Sequence, residues 1–134
     1  MVETVLLIDD DKATQYIHKR IITKHNDFKN VLTFLGGDIA LTYLKSINVS
    51  FIKKPQLIFV DLNMPSMNGW EFIEAYNKLG DDIIKHSKLM ILTTSSNPND
   101  ISRSKTVKGV SDYIVKPLSN QKLDHILKTY FVNH

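Results

Sequence analysis

The sequence contains no cysteine among its 134 residues. This absence excludes disulfide frameworks, thiolate metal sites, iron–sulfur clusters and thiol nucleophiles. Long apolar runs are also missing, because the longest ones, at residues 5–8, 57–60 and 89–92, have four residues each. A membrane-spanning helix needs about 20 such residues, and the N-terminus lacks the basic and apolar segments of a secretory signal. We therefore expect a cytoplasmic chain that does not associate with a membrane.

Neither charge sign is in large excess: 17 Lys and Arg stand against 14 Asp and Glu, a net charge of +3. The basic residues are scattered and are not interleaved with aromatic side chains, so we expect no nucleic-acid partner. Glycine and proline number only 5 and 4, and 43% of the residues are hydrophobic. This composition is typical of a single globular domain and excludes disordered and low-complexity chains.

Two apolar periods alternate along the chain. Continuous runs typical of strands buried on both faces occupy residues 5–8, 31–34, 57–60, 89–92 and 113–115. Helical spacing relates Ala13, Ile17 and Ile21, then Ala40, Leu41, Leu44 and Ile47, then Phe72, Ile73, Tyr76 and Leu79, and two further helices begin after Asn97 and Ser119. The alternation predicts an α/β domain with a parallel sheet and five helices on its two faces. Residues 46–55 are expected to form a long loop.

Polar side chains follow four of the predicted strands, at residues 9–11, at Asp61, at residues 93–96 and at Lys116. Ligands of open parallel sheets bind outside the carboxyl ends of the strands, so these side chains should share one rim. Four neighbouring aspartates repel one another unless a cation is present. Oxygen ligands with no histidine nearby in sequence favour Mg²⁺ or Mn²⁺ over zinc.

The aspartates also have a simpler interpretation. Asp11 is expected to cap the helix that follows, and acids at a helix start are common even without a metal. For Asp9 and Asp10 two interpretations stay open: ligands of a cation, or solvated acids at the start of a helix. Asp61 stands in a sharply turning segment that contains Pro65 and Gly69. A carboxylate fixed beside a metal can act as a nucleophile toward a phosphoryl group, giving an acyl phosphate.

Four segments at the predicted strand ends, residues 6–11, 57–69, 90–93 and 112–117, resemble the receiver domains of two-component response regulators. The resemblance covers essentially the whole chain. It implies a flavodoxin-like, doubly wound sheet of five parallel strands in the order 2-1-3-4-5. It also implies a single receiver domain over residues 1–134 with no output domain, a phosphoacceptor that catalyses only its own phosphorylation and dephosphorylation.

The resemblance further implies a phosphorylation and metal site. Asp61 is the implied phosphoryl acceptor, and its donor is the phosphohistidine of a sensor histidine kinase or a histidine phosphotransfer protein. Asp10 is an implied direct ligand of Mg²⁺ or Mn²⁺, together with Asp61 and the backbone carbonyl of Asn63, while Asp9 acts through water. Lys116 is expected to pair with the phosphoryl oxygens.

A conformational switch is implied as well. The Thr93 hydroxyl should move toward the phosphoryl group and Tyr113 should follow it, while the side chains of Asn63 and Ser95 tune hydrolysis. The Lys116–Pro117 peptide bond is expected to be cis. The face formed by the fourth predicted helix, the fifth strand and the last helix should then bind a separate downstream protein, or a second copy of the chain.

Two other functions are alternatives to the receiver. In a phosphatase of the haloacid dehalogenase type, Asp9 would be the nucleophile and Asp11 the acid, but Ala13 stands where that motif has Thr or Val. The second alternative is a binding module that has the receiver fold but does not depend on phosphorylation. The five histidines, at positions 18, 25, 86, 125 and 134, share no metal-ligand spacing and are expected at the surface.

Overall fold

The computed structural model describes residues 2–47 and 56–131. Within them, strands and helices alternate along the chain. The strands are β1 (Val2–Ile8), β2 (Phe28–Phe34), β3 (Gln56–Val60), β4 (Ser87–Thr93) and β5 (Val110–Val115). The helices are α1 (Lys12–Lys24), α2 (Gly37–Ser46), α3 (Gly69–Tyr76), α4 (Asp81–Lys85), α5 (Pro98–Thr106) and α6 (Asn120–Tyr130).

All strand pairs are parallel, and the sheet order is β2-β1-β3-β4-β5. This arrangement confirms the predicted α/β fold and its strand order. The register aligns Ile8 of β1 with Phe34 of β2 and with Val60 of β3. Since the strands run in the same direction, their carboxyl ends lie on one edge, and the residues that follow them meet there.

The sheet separates two apolar cores. Alternate strand residues point to opposite faces, so Leu6 and Ile58 pack with α2 and α3 while Leu7 and Phe59 pack on the other side. The second core includes Ile22 of α1 together with residues of α6. Helices therefore cover both faces, as a doubly wound sheet requires.

The helix starts follow the capping residues predicted from the sequence. The Asp11 carboxylate accepts hydrogen bonds from the backbone N–H groups of Ala13 and Thr14 at 3.0 and 3.2 Å. Asn97 caps α5, whose first residue is Pro98, and the Ser119 hydroxyl caps α6. None of the described helices is long and apolar enough to cross a membrane.

Three local expectations need correction or stay open. The described residues contain six helices and not five, because Gly80, with a φ of +117°, separates α3 from the additional short helix α4. The apolar stripe predicted for α1 is wrong: Ile17 is 54% exposed, and the helix buries Gln15, His18 and Ile22 instead. Most of the loop expected at residues 46–55 lies outside the described residues.

Candidate functional site

Three carboxylates meet at the carboxyl edge of the sheet. Asp9 and Asp10 follow β1 and Asp61 follows β3, and one oxygen from each lies within 4.8 Å of the others. The backbone fixes two of them, because Asp9 N–H donates to the Phe34 carbonyl and Asp61 N–H to the Ile8 carbonyl, both at 3.0 Å. Asp9 and Asp61 are buried, whereas Asp10 is exposed. The predicted cluster is thus present, with its open side at Asp10.

Lys116 places its ammonium group between the two buried carboxylates. Its Nζ lies 2.6 Å from Asp9 Oδ2 and 3.4 Å from Asp61 Oδ2, and the lysine side chain is only 10% exposed. Buried charges are costly unless they are paired, and one ammonium cannot neutralise the three carboxylates that meet here. The site keeps a net negative charge that a hard cation would compensate.

The donor set fits a hard divalent cation. All candidate ligand atoms in the cluster are carboxylate oxygens, and the cluster opens to solvent on the side of Asp10. One oxygen of each buried carboxylate already accepts a backbone hydrogen bond. Asp9 Oδ1 accepts the Asp11 N–H at 3.0 Å, and Asp61 Oδ1 accepts the Asn63 N–H at 3.4 Å. These bonds orient the carboxylates before any ligand binds. Asp9, Asp10 and Asp61 can therefore hold a metal with few protein ligands, leaving room for other oxygens.

The segment that carries Asp61 is held tightly by α3. Gly69 N–H donates to the Leu62 carbonyl at 3.0 Å, and a Cβ at Gly69 would lie 2.6 Å from the Asp61 carbonyl oxygen. The Asn68 side chain and Glu71 form a reciprocal capping box at the start of α3. The helix start is therefore pressed against the backbone of Asp61 and fixes its position.

The loop after β4 is tied to β5 and α5. Thr93 is fully buried, and its Oγ1 accepts the Ser95 N–H at 3.4 Å. The Tyr113 hydroxyl donates to the Ser95 carbonyl at 2.7 Å, and the Ser95 hydroxyl donates to Asp100 Oδ2 at 2.8 Å. Burial raises the pKa of Tyr113, so its phenol remains a hydrogen-bond donor. These hydrogen bonds connect the loop to Tyr113 of β5 and to Asp100 of α5.

The turn after β5 is anchored by residues to which the sequence pattern assigned no role at the site. The Lys116–Pro117 peptide bond is cis, the isomer implied by the resemblance. The Leu118 N–H donates to His18 Nε2 at 3.3 Å, and Lys122 Nζ donates to the carbonyls of Val115 and Pro117 at 2.6 and 2.7 Å. The surface position expected for His18 is wrong, since this residue is 3% exposed. Burial, followed by the nearby charge of Lys116, lowers the pKa of His18.

Gln15 is a second buried polar residue beside the site that the apolar pattern missed. Its Nε2 lies 2.9 Å from the Phe34 carbonyl and 3.3 Å from the Leu7 carbonyl, so it bridges the ends of β2 and β1. The spacing of Gln15, His18 and Ile22 by three and four residues is helical. The polar character of Gln15 and His18 concealed this buried face of α1.

A parallel sheet with an oxygen-rich cluster at its carboxyl edge defines a class of α/β proteins that bind ligands at strand ends. A sequence model of the response regulator receiver domain matches residues 5–128. The chain belongs to this family, whose members are signalling proteins of two-component systems and bind Mg²⁺ or Mn²⁺ at a cluster of aspartates.

Curated relatives differ in how much of their length corresponds to this chain. The probable C4-dicarboxylate response regulator DctR of Halalkalibacterium halodurans is 28% identical over 126 residues, which are 94% of this chain and 50% of that protein. The chemotaxis protein CheY of Pseudomonas aeruginosa is 28% identical over 127 residues, 95% of this chain and 94% of CheY. The chain thus spans half of one relative and nearly all of the other.

Solved structures share the fold. A response regulator receiver protein from Dyadobacter fermentans superposes with a TM-score of 0.89 at 23% identity, covering 98% of this chain and 100% of that one. The Mn²⁺-bound form of response regulator Rcp1 gives a TM-score of 0.66 at 24% identity, covering 97% and 94% of the two chains. These likenesses support the receiver fold of the sheet and its helices.

Proposed function

We propose that Asp61 accepts a phosphoryl group from the phosphohistidine of a sensor histidine kinase or a histidine phosphotransfer protein. The observation that carries the proposal is the buried Asp61 carboxylate, held by the start of α3 and lying within 4.8 Å of two other carboxylates. An Asp61 oxygen attacks phosphorus as the phosphorus–nitrogen bond to the donor histidine breaks. The nitrogen keeps the bonding electron pair, and the product is an aspartyl phosphate.

The neighbouring residues have distinct roles in this transfer. A bound Mg²⁺, or Mn²⁺, would supply Lewis-acid stabilisation of the transferring oxygens, and Asp9, Asp10, Asp61 and the Asn63 carbonyl are the groups that would hold it. Asp9 would act through water. In the unphosphorylated chain the Lys116 ammonium pairs with Asp9 and Asp61, and after transfer it would turn toward the oxygens of the phosphoryl group.

Phosphorylation would also change the output surface. A phosphoryl group adds about 1.5 to 2 negative charges at Asp61, and the Thr93 hydroxyl would donate to one of its oxygens. To make this bond, Thr93 would move toward Asp61. Because Ser95 N–H donates to Thr93 Oγ1 and Tyr113 donates to the Ser95 carbonyl, the movement of Thr93 would reach β5 and α5. The face of α5, β5 and α6 would then shift its population between two forms and bind a separate protein, or a second copy of the chain.

The lifetime of the aspartyl phosphate would depend on two side chains beside it. Asn63 is exposed and stands two residues after Asp61, while Ser95 is half-buried and stands two residues after Thr93. The resemblance to receiver domains implies that both side chains flank the phosphoryl group, where an attacking water would arrive. Substitutions there should change the rate of dephosphorylation without preventing phosphorylation.

The deciding experiment is phosphorylation of the purified chain by acetyl phosphate with Mg²⁺, followed by intact-mass measurement. We expect one added phosphoryl group per chain and none in Asp61→Asn. Asp11→Asn is the matched control, because it removes a nearby charge while Asn keeps the helix cap. This variant should be phosphorylated like the unaltered chain.

Other outcomes would support the rival functions. Phosphorylation of Asp61→Asn together with its loss in Asp9→Asn would favour a phosphatase of the haloacid dehalogenase type. The structure weighs against that reaction, because Asp11, its required acid, is committed to capping α1. No labelling, and no change of Trp70 fluorescence with beryllofluoride and Mg²⁺, would favour a phosphorylation-independent binding module.

A further inference from the structure

The turn that presents Lys116 is held from three sides. Lys116 N–H donates to the Thr93 carbonyl at 2.8 Å, which fixes the turn to β4. Leu118 N–H donates to His18 Nε2 on α1, and Lys122 on α6 donates to two carbonyls of the turn. Such anchoring matters because the backbone position of Lys116 sets which groups its ammonium can reach on a flexible four-carbon stem.

We propose that His18 is a positioning residue for phosphoryl transfer, which anchors the Lys116–Leu118 turn so that the Lys116 ammonium reaches Asp9 and Asp61. The proposal rests on the proposed phosphorylation of Asp61. His18 lies in α1, almost one hundred residues from the turn, and the hydrogen bond to Leu118 is buried. His18, Asp9 and Asp61 line the same small cavity, so the imidazole lies close to the acidic cluster.

The chemistry of the contact requires a neutral imidazole. Nε2 can accept the Leu118 N–H only when the ring proton is on Nδ1. His18 is 3% exposed, and burial together with the positive charge of Lys116 lowers its pKa, which keeps the accepting form. Lys116 and Lys122 add positive charge around the ring, and Asp9 is the acid that opposes them.

The anchors differ in how easily water could replace them. The Leu118 N–H is buried, so losing its acceptor leaves a donor without a partner. The carbonyls of Val115 and Pro117 that receive Lys122 are exposed, and water can bond to them instead. Removal of the His18 acceptor should therefore displace the turn, whereas removal of the Lys122 donor should not.

Four variants of the full chain separate positioning from general destabilisation. His18→Leu fills the space but removes the acceptor, and His18→Gln places an amide oxygen near the position of Nε2. Lys122→Met is the matched control, because it removes another side chain that donates to the same turn. Ile22→Val weakens the packing of α1 in the core without changing a residue that contacts the turn. Each is compared for its phosphorylation rate with acetyl phosphate, its Mg²⁺ affinity by Trp70 fluorescence, and the nitrogen-15 signal of the Lys116 ammonium.

In His18→Leu we expect the phosphorylation rate at saturating Mg²⁺ to fall roughly tenfold to a hundredfold, the range that a displacement of about 1 Å can produce. Mg²⁺ should bind at least as tightly, because Lys116 competes with a cation for Asp9. The ammonium signal should broaden or disappear. His18→Gln should restore most of the rate, and Lys122→Met and Ile22→Val should stay within about threefold of the unaltered chain.

The proposal is overturned if His18→Leu keeps the normal rate and ammonium signal, or if Ile22→Val loses as much rate as His18→Leu. It is also overturned if His18→Gln restores nothing. The proposed function, in contrast, would be overturned if the unaltered chain were not phosphorylated at all. The ammonium signal would then still decide whether His18 positions Lys116, because it needs no phosphoryl transfer.

Discussion

Gly69 stands where the start of α3 touches the backbone of the loop that carries Asp61, and Gly69→Ala tests that contact. An added Cβ would lie 2.6 Å from the Asp61 carbonyl oxygen and 2.8 Å from Leu62 Cα. Ordinary contact begins at 3.4 Å, so the first distance is about 0.8 Å too short. Neither neighbour is a flexible side-chain end. The loop and the helix must therefore separate.

The expected cost follows from two opposing effects. Forcing an extra carbon into a packed region costs about 1–3 kcal/mol, whereas Ala favours a helix over Gly by up to ~1 kcal/mol. We expect the free energy of unfolding of Gly69→Ala to fall by about 1–2 kcal/mol, with an unchanged dependence on urea concentration. The displacement of Asp61 should also slow phosphorylation roughly tenfold or more.

Gly36→Ala is the matched control, because its Cβ would meet Asp38 Oδ1 at 2.7 Å, the end of a side chain that can rotate away. Urea unfolding followed by circular dichroism should show a loss below about 1 kcal/mol for this variant. If Gly69→Ala unfolded at the same urea concentration as the unaltered chain and were phosphorylated at the same rate, the close approach of α3 to Asp61 would be refuted.

Three further predictions concern other parts of the chain. Burial lowers the pKa of His18, so the unfolded chain binds a proton that the folded chain does not. As the pH falls from about 6.5 toward the lowered pKa of folded His18, this residue should reduce stability by up to ~1.4 kcal/mol per pH unit. His18→Gln should remove that contribution from the pH dependence measured in urea titrations. Burial and the bond to Asp112 raise the pKa of Tyr130 to about 12, so Tyr130→Phe should remove an absorbance step near that pH at 295 nm. The Arg103 guanidinium carbon lies 4.4 Å from the Trp70 ring centroid, so Arg103→Ala should cost about 0.5–1 kcal/mol and change Trp70 fluorescence; unchanged emission would contradict the contact.

The strands could be predicted because their residues obey simple rules, whereas their order was implied by the resemblance to receiver domains. Runs such as Leu57–Val60 are apolar on both faces, and the structure buries every residue of β3. Helix starts at Asp11, Asn97 and Ser119 carry side chains that accept backbone N–H groups, a purely local interaction. Local rules failed at Gly80, where a left-handed backbone begins an additional short helix.

The buried face of α1 could not be predicted because its determinants lie far away in sequence. Apolar periodicity favoured Ile17, yet this residue is 54% exposed. The residues buried in its place include Gln15 and His18, which donate to or accept from backbone groups of β1, β2 and the turn after Pro117. Burial of a polar side chain is favourable only where such partners exist, and the partners become visible only once the strands are assembled.

The same contrast applies to the site. Asp61, Asp9 and Lys116 could be brought together from sequence because parallel strand ends meet at one edge whatever the details of packing. The contacts that fix their geometry, Gly69 against the Asp61 carbonyl and His18 beneath the Lys116 turn, depend on how α3 and α1 pack on that edge. The strand ends therefore determine which chemical groups meet at this site, and the packing of the helices determines their exact positions. Substitutions in those helices should alter rates while the groups that react remain unchanged.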